Sequence, residues 1–135
     1  MRQRANGLCE YCHAAEQWQY VTFTIDHVVP LKRGGNDRLG NLALACFHCN
    51  RYKSANQVAV DPITQTSVRL FDPRNQVWAE HFQWSSDGLT IIGLSATGRT
   101  TIEALQFNRE RILAIRAADL EVGRHPPPGD PIQAT

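Results

Sequence analysis

The 135-residue chain has no apolar run long enough to span a bilayer, which excludes a membrane-spanning helix as its organising element. Its start, Met1-Arg2-Gln3-Arg4, leads into polar sequence and a cysteine, not into the apolar stretch of a secretory signal. These absences predict a soluble cytoplasmic protein with no membrane partner. No internal repeat is visible, so the chain is not an array of stacked units. Excess charge is also lacking: the net charge is +1 and the pI about 7.7. That falls short of the strongly basic signature of many DNA-binding domains. The sign is uneven, however. Residues 1–55 carry seven basic side chains against four acidic ones, so the remainder is acidic by two. Such a balance permits a phosphate-bearing partner without demanding one.

What the chain does have is 42% apolar residues, ordinary for a globular protein, and four cysteines in two Cys-x-x-Cys pairs, Cys9/Cys12 and Cys46/Cys49. In a reducing compartment such pairs point to metal before disulfide. Each turn can place two thiolates on one tetrahedral ion at about 2.3 Å per Zn–S bond. A four-thiolate site of this kind supplies folding energy directly, on the order of 10 kcal/mol at neutral pH. Thirty-three residues separate Cys12 from Cys46, more than the ~15–20 of the usual paired-knuckle spacing. The metal therefore closes a loop that holds more than a simple ribbon.

Hydrophobic patterning places elements between and beyond the knuckles. Residues 20–25 alternate Val21, Phe23 and Ile25 among β-branched neighbours and read as a strand ended by Pro30. Residues 32–40 are Gly-rich and charged, a loop, and 41–45 form a short return segment. A helix is predicted to begin near Asn50. In the second half, Asp61-Pro62 and Asp72-Pro73 mark turns around a strand at 67–71. Residues 80–84 and 89–94 read as a β-hairpin. One helix is expected from Thr97 to about Phe107, and another from an Asn108 N-cap to about Glu121. From Gly123 the Pro-rich tail is expected to be disordered or extended.

The order Cys9-x-x-Cys12, Ile25-Asp26-His27-x-x-Pro30, Gly34-Gly35, Asn41-Leu42 and Cys46-x-x-Cys49-Asn50-x-x-Lys53 resembles the HNH endonuclease family. Order, spacing and residue type agree together over roughly residues 1–55. Phe71-Asp72-Pro73-Arg74, Trp78, His81-Phe82 and Gly98-Arg99 resemble, less specifically, the extension of small bacterial members of that family. The resemblance implies an α+β protein: a ββα-metal nuclease core at 1–56 with the four-cysteine zinc site, a small α+β extension at 57–122 packing on it, and a tail at 123–135. It implies that His27 is the general base, Asn41 the middle motif position and Asn50 the last, and that Asp26 is the acidic ligand of a catalytic cation. DNA, double-stranded by preference, is the implied substrate, cut to leave a 5′-phosphate and a 3′-hydroxyl.

The residue types suit that chemistry. Phosphodiester hydrolysis needs an activated water and positive charge on the phosphate. Histidine, with an ordinary pKa of about 6.5, is largely neutral at pH 7 and able to accept a proton. Mg²⁺ (or Mn²⁺) prefers oxygen ligands and keeps open positions for water and phosphate, which suits Asp26 and Asn50. Neighbours on a strand face opposite ways, so Asp26 and His27 share one site only if the strand bends or ends there. Asn41 is read as a positioner that pins the loop carrying His27. Lys32, Arg33, Arg51 and Lys53 are candidate phosphate contacts. His13 is expected to face solvent, His48 to be an exposed knuckle residue, and Trp78, Phe82 and Trp84 to be core. Two rival functions carry their own expectations: a zinc module that binds nucleic acid or protein without cutting, and a thiol redox protein whose cysteines cycle and hold no metal.

Overall fold

The computed structural model describes residues 1–134. Its elements mix strands and helices. Strand β1 (Thr24–His27) pairs antiparallel with β2 (Leu42–Ala45), with Asp26 opposite Ala43 and His27 opposite Leu42. Helix α1 (Phe47–Lys53) follows directly. Strands β3 (Val58–Val60) and β4 (Ser67–Arg69) form a second ribbon. A short helix α2 (Trp78–His81) leads into β5 (Phe82–Trp84), which pairs with β6 (Ile91–Gly93). Helices α3 (Ala96–Leu105) and α4 (Glu110–Glu121) complete the order. No helix among the described residues is long and apolar enough to cross a membrane.

Several element ends differ from the sequence expectation, each for a tertiary reason. The first strand begins at Thr24 and not at Tyr20, because its last partner, Ala45, immediately precedes the second knuckle. Residues beyond Thr24 have no strand to pair with, and Tyr20 and Val21 lie exposed. Helix α1 starts three residues before Asn50. Its N-cap is Cys46, whose sulfur accepts the Cys49 amide at 3.3 Å, so a metal-ligand residue also caps the helix. The 67–71 strand is shorter than expected, since Leu70 and Phe71 turn inward into the core.

Asn108 does not cap α4. Its carboxamide instead accepts the Ile91 amide and donates to the Ile91 carbonyl, both at 2.8 Å, and accepts from Arg116 at 3.0 Å. These partners fasten α4 to the β5–β6 ribbon and outcompete the local cap.

The tail takes the extended one of its two expected conformations. It is packed: the Trp84 amide donates to Pro131 at 2.9 Å, and the Gln133 amide to Trp84 at 2.7 Å. Proline-rich backbone is already extended, so it can lie along the free edge of β5 as a parallel bridge at Ile132.

The centre of the molecule is aromatic. Phe71, Trp78, Phe82, Trp84 and Phe107 are all buried. Trp78 and Phe71 each lie 5.2 Å, ring centre to ring centre, from Phe82, within the range where aromatic pairs attract. This cluster joins Tyr11, Leu44 and the cysteines in one continuous core. Gly98 faces the His81 carbonyl so closely that any side chain would collide. Its neighbour Arg99 binds the buried Asp61 carboxylate at 2.8 Å. The Gly98-Arg99 motif thus serves packing.

Candidate active site and metal centre

The two knuckles meet. The sulfurs of Cys9, Cys12, Cys46 and Cys49 all lie within 4.8 Å of one another and are buried. Cys12 Sγ and Cys46 Sγ are 3.8 Å apart, close to the ~3.8 Å edge of a tetrahedron with 2.3 Å Zn–S bonds. Burial pushes the Cys9 thiol up, because a thiolate without a counter-charge is costly in a dry interior. A divalent cation reverses that cost, and the cluster fits one tetrahedral zinc ion. The Cys12 amide points to Cys9 Sγ at 3.5 Å, as the Cys49 amide does to Cys46 Sγ at 3.3 Å, so each turn is braced by an N–H···S contact.

The strand pair anchored by this cluster carries Asp26 and His27. Strand alternation turns Asp26 inward, where it is 3% exposed. Its Oδ2 accepts from the Tyr11 hydroxyl at 2.6 Å and pairs with Lys53 Nζ at 3.1 Å. Burial and the neighbouring Asp26 push the Tyr11 hydroxyl well up, so it remains a donor. Lys53 also donates to the His27 and Val28 carbonyls, at 3.1 and 3.3 Å. This corrects the expectation that Lys53 contacts nucleic acid. It is 2% exposed, held as the internal partner of Asp26 at the end of α1. A lysine is tolerated there because carboxylate and carbonyls satisfy its three protons.

His27 ends β1 with its side chain 29% exposed, and its Nε2 lies 2.7 Å from Asp37 Oδ1. Asn41 holds the loop between them. Its Oδ1 accepts the Val29 amide at 2.8 Å, and its Nδ2 donates to the Val29 and Asn36 carbonyls at 3.0 and 2.8 Å. Gly35 lies against that junction, where a side chain would strike the Val29 carbonyl.

Ile25, Asp26, His27, Pro30, Lys32 and Asn50 border one open cleft of about 340 Å³ between β1, the following loop and α1. Asp26, His27 and Asn50 thus border one cleft, with the Asp26 carboxylate itself buried against Tyr11 and Lys53, while Asn41 pins the adjoining loop. Lys32, Arg33 and Arg51 are exposed, with Arg33 donating to the Ala55 carbonyl at 2.9 Å. A larger cavity, about 830 Å³, lies between residues 4–18, the extension and the tail, and none of the predicted catalytic residues lines it.

Two further expectations need correction. His13 does not simply face solvent: it stacks on Trp78 at 3.9 Å and meets Asp130 at 2.8 Å. His48 packs against Tyr52 with its ring tilted by 36° at 4.2 Å, and buries an unpartnered Nε2. Burial, reinforced by Arg109, lowers its pKa to about 4. Sequence reasoning missed Tyr11 and Asp37. Tyr11 lies inside the first knuckle and Asp37 in a loop ten residues past His27, and neither carries a local signal.

The HNH endonuclease family model matches residues 9–56. No curated protein and no solved structure gives a significant match. The matched segment holds all four clustered cysteines, both paired strands and helix α1. Residues 9–56 of this α+β chain are an HNH-family domain.

Proposed function

We propose that the protein is a metal-dependent endonuclease that hydrolyses phosphodiester bonds in DNA, with His27 as general base. The observation that carries this reading is that His27, Asp26 and Asn50 border the same open cleft. A catalytic Mg²⁺ (or Mn²⁺) would be held there by the Asn50 carboxamide oxygen and by the Asp26 carboxylate, which would have to give up or share its Lys53 and Tyr11 partners to reach the ion. That donor set suits a hard cation that keeps several waters. When bound, the ion supplies Lewis-acid charge to the phosphate.

The chain's own residues do the rest. His27 takes a proton from the attacking water, a contribution worth typically 10²–10⁴-fold for general-base catalysis. Asn41 holds the end of β1 and its loop, so the imidazole keeps its aim. Lys32, Arg33 and Arg51 lie near the cleft and would bind flanking phosphates of a duplex. Lys53 and Tyr11 fix the Asp26 carboxylate, Lys53 reaching both of its oxygens. The zinc cluster keeps β1, β2 and α1 in register. In this reading residues 1–56 form the nuclease core and 57–122 the extension that supports it.

The test is cleavage of supercoiled plasmid by zinc-loaded protein, with and without added Mg²⁺, followed by end-group analysis. Cleavage only with the added ion, leaving 5′-phosphate ends, supports the reading. No cleavage of DNA or RNA under either condition overturns it. A second reading, a zinc module that binds nucleic acid without cutting, is favoured by one observation: Asp26 already has its charge matched by Lys53. That module retains DNA in a gel shift while leaving it uncut.

A further inference from the structure

We infer that Asp37 is the residue that fixes the ring and tautomer of His27. The inference rests on the proposed role of His27 as base.

Asp37 Oδ1 lies 2.7 Å from His27 Nε2, while the Asp37 side chain is 82% exposed. A contact made by so exposed a carboxylate adds little to folding. Its consequence lies in the imidazole. A neutral histidine carries one ring proton, and a carboxylate acceptor draws that proton to Nε2. Nδ1 is then left with the free lone pair, ready to take a proton from water. When it does, Asp37 faces the imidazolium that results. No other group on the described residues is bonded to a His27 ring nitrogen.

The loop is built to hold the carboxylate there. Asn36, just before Asp37, has its carbonyl bound by Asn41 Nδ2 at 2.8 Å and its side-chain oxygen by the Arg38 amide at 2.9 Å. The same Asn41 side chain grips Val29, two residues past His27. One asparagine thus fixes both the segment bearing the base and the segment bearing its carboxylate. Asn41 acts on His27 partly through Asp37. A carboxylate near a phosphate-binding cleft repels the substrate, so a merely electrostatic role predicts that its removal helps.

The experiment measures plasmid cleavage and the histidine ring nitrogens of the same proteins. Asp37→Ala is expected to lower kcat by about 10- to 100-fold, the usual cost of losing a partner that orients a functional histidine, with KM, zinc content and melting temperature unchanged. Asp37→Asn keeps an acceptor oxygen and is expected to recover part of that loss. Nitrogen-15 spectra of the zinc-loaded wild type are expected to show His27 protonated at Nε2, and Asp37→Ala to show a mixture of tautomers. An unchanged or raised kcat together with an unchanged tautomer overturns the inference. If the wild type cuts nothing, the nuclease reading falls, and the spectra alone still decide whether Asp37 fixes the ring.

Discussion

The two halves of the molecule are held by different physics. Residues 9–53 have short strands and one two-turn helix, and bury few of their large apolar side chains. Their geometry comes from four sulfurs and a set of buried polar contacts around Asp26, Lys53 and Asn41. Residues 71–112 instead bury three phenylalanines and two tryptophans. Small segments need a staple where apolar area is scarce, and a segment stapled by metal can leave polar side chains free at its surface. The first half therefore presents the cleft, and the second half backs it. The joints are specific: Trp78 Nε1 donates to the Tyr11 carbonyl at 2.7 Å, and Arg74 pairs with Glu10, which itself accepts the Leu44 amide at 2.9 Å.

Removing zinc strikes only one side of this contrast and has the largest expected effect. Cys46→Ser, or a strong chelator, removes stabilisation on the order of 10 kcal/mol. Hydrogen exchange is expected to speed sharply across 24–53 while amides at 82–93 and 99–112 stay protected. Equal loss of protection in both regions would erase the distinction between a stapled half and an aromatic half. Trp78 joins the halves, so its removal comes next. Trp78→Ala is expected to cost about 3–5 kcal/mol in urea unfolding, with one zinc still bound. Trp78→Phe, which removes chiefly the Tyr11 bond, is expected to cost about 1 kcal/mol.

The smallest effect concerns Asp61 in the second half. The Arg99 guanidinium, helped by the Ile63 amide and the Thr64 hydroxyl, holds its carboxyl well below the ordinary value of 3.8. A carboxylate with a depressed folded-state pKa stabilises the fold above its ordinary value, and loses that contribution as pH falls through the depressed one. Asp61→Asn is therefore expected to unfold earlier than wild type in urea at pH 7. The gap between the two should narrow below about pH 4, read from tryptophan fluorescence. A gap that widens in acid would contradict this assignment.

Much of the first half was legible because its chemistry is written in spacing. Two Cys-x-x-Cys pairs, Asp26-His27 and Asn50 need only the chain order to be noticed, and the clustering of the cysteines follows from metal valence. Roles that depend on what a side chain meets across the fold were not legible. Lys53 stands two residues after Arg51 in sequence and looks like a phosphate contact, yet those two steps round α1 turn it inward onto Asp26. Asn108 has the composition of a cap but is taken by Ile91 and Arg116. The tail from Gly123 reads as disordered or extended, because proline and glycine hide pairing partners. Its order depends on Trp84, whose amide binds Pro131 and whose Nε1 donates to Asp130 at 2.9 Å. Asp37 looks like one more charge in a glycine-rich loop until the fold brings it to His27.

The most direct measurement is the cleavage rate of His27→Ala on supercoiled plasmid, at saturating Mg²⁺ and with bound zinc confirmed. A drop of about 10²–10⁴-fold, as for the loss of a general base, with melting temperature unchanged is the outcome that follows from an imidazole facing the Asp26–Asn50 cleft. A variant that cuts as fast as the wild type would contradict it.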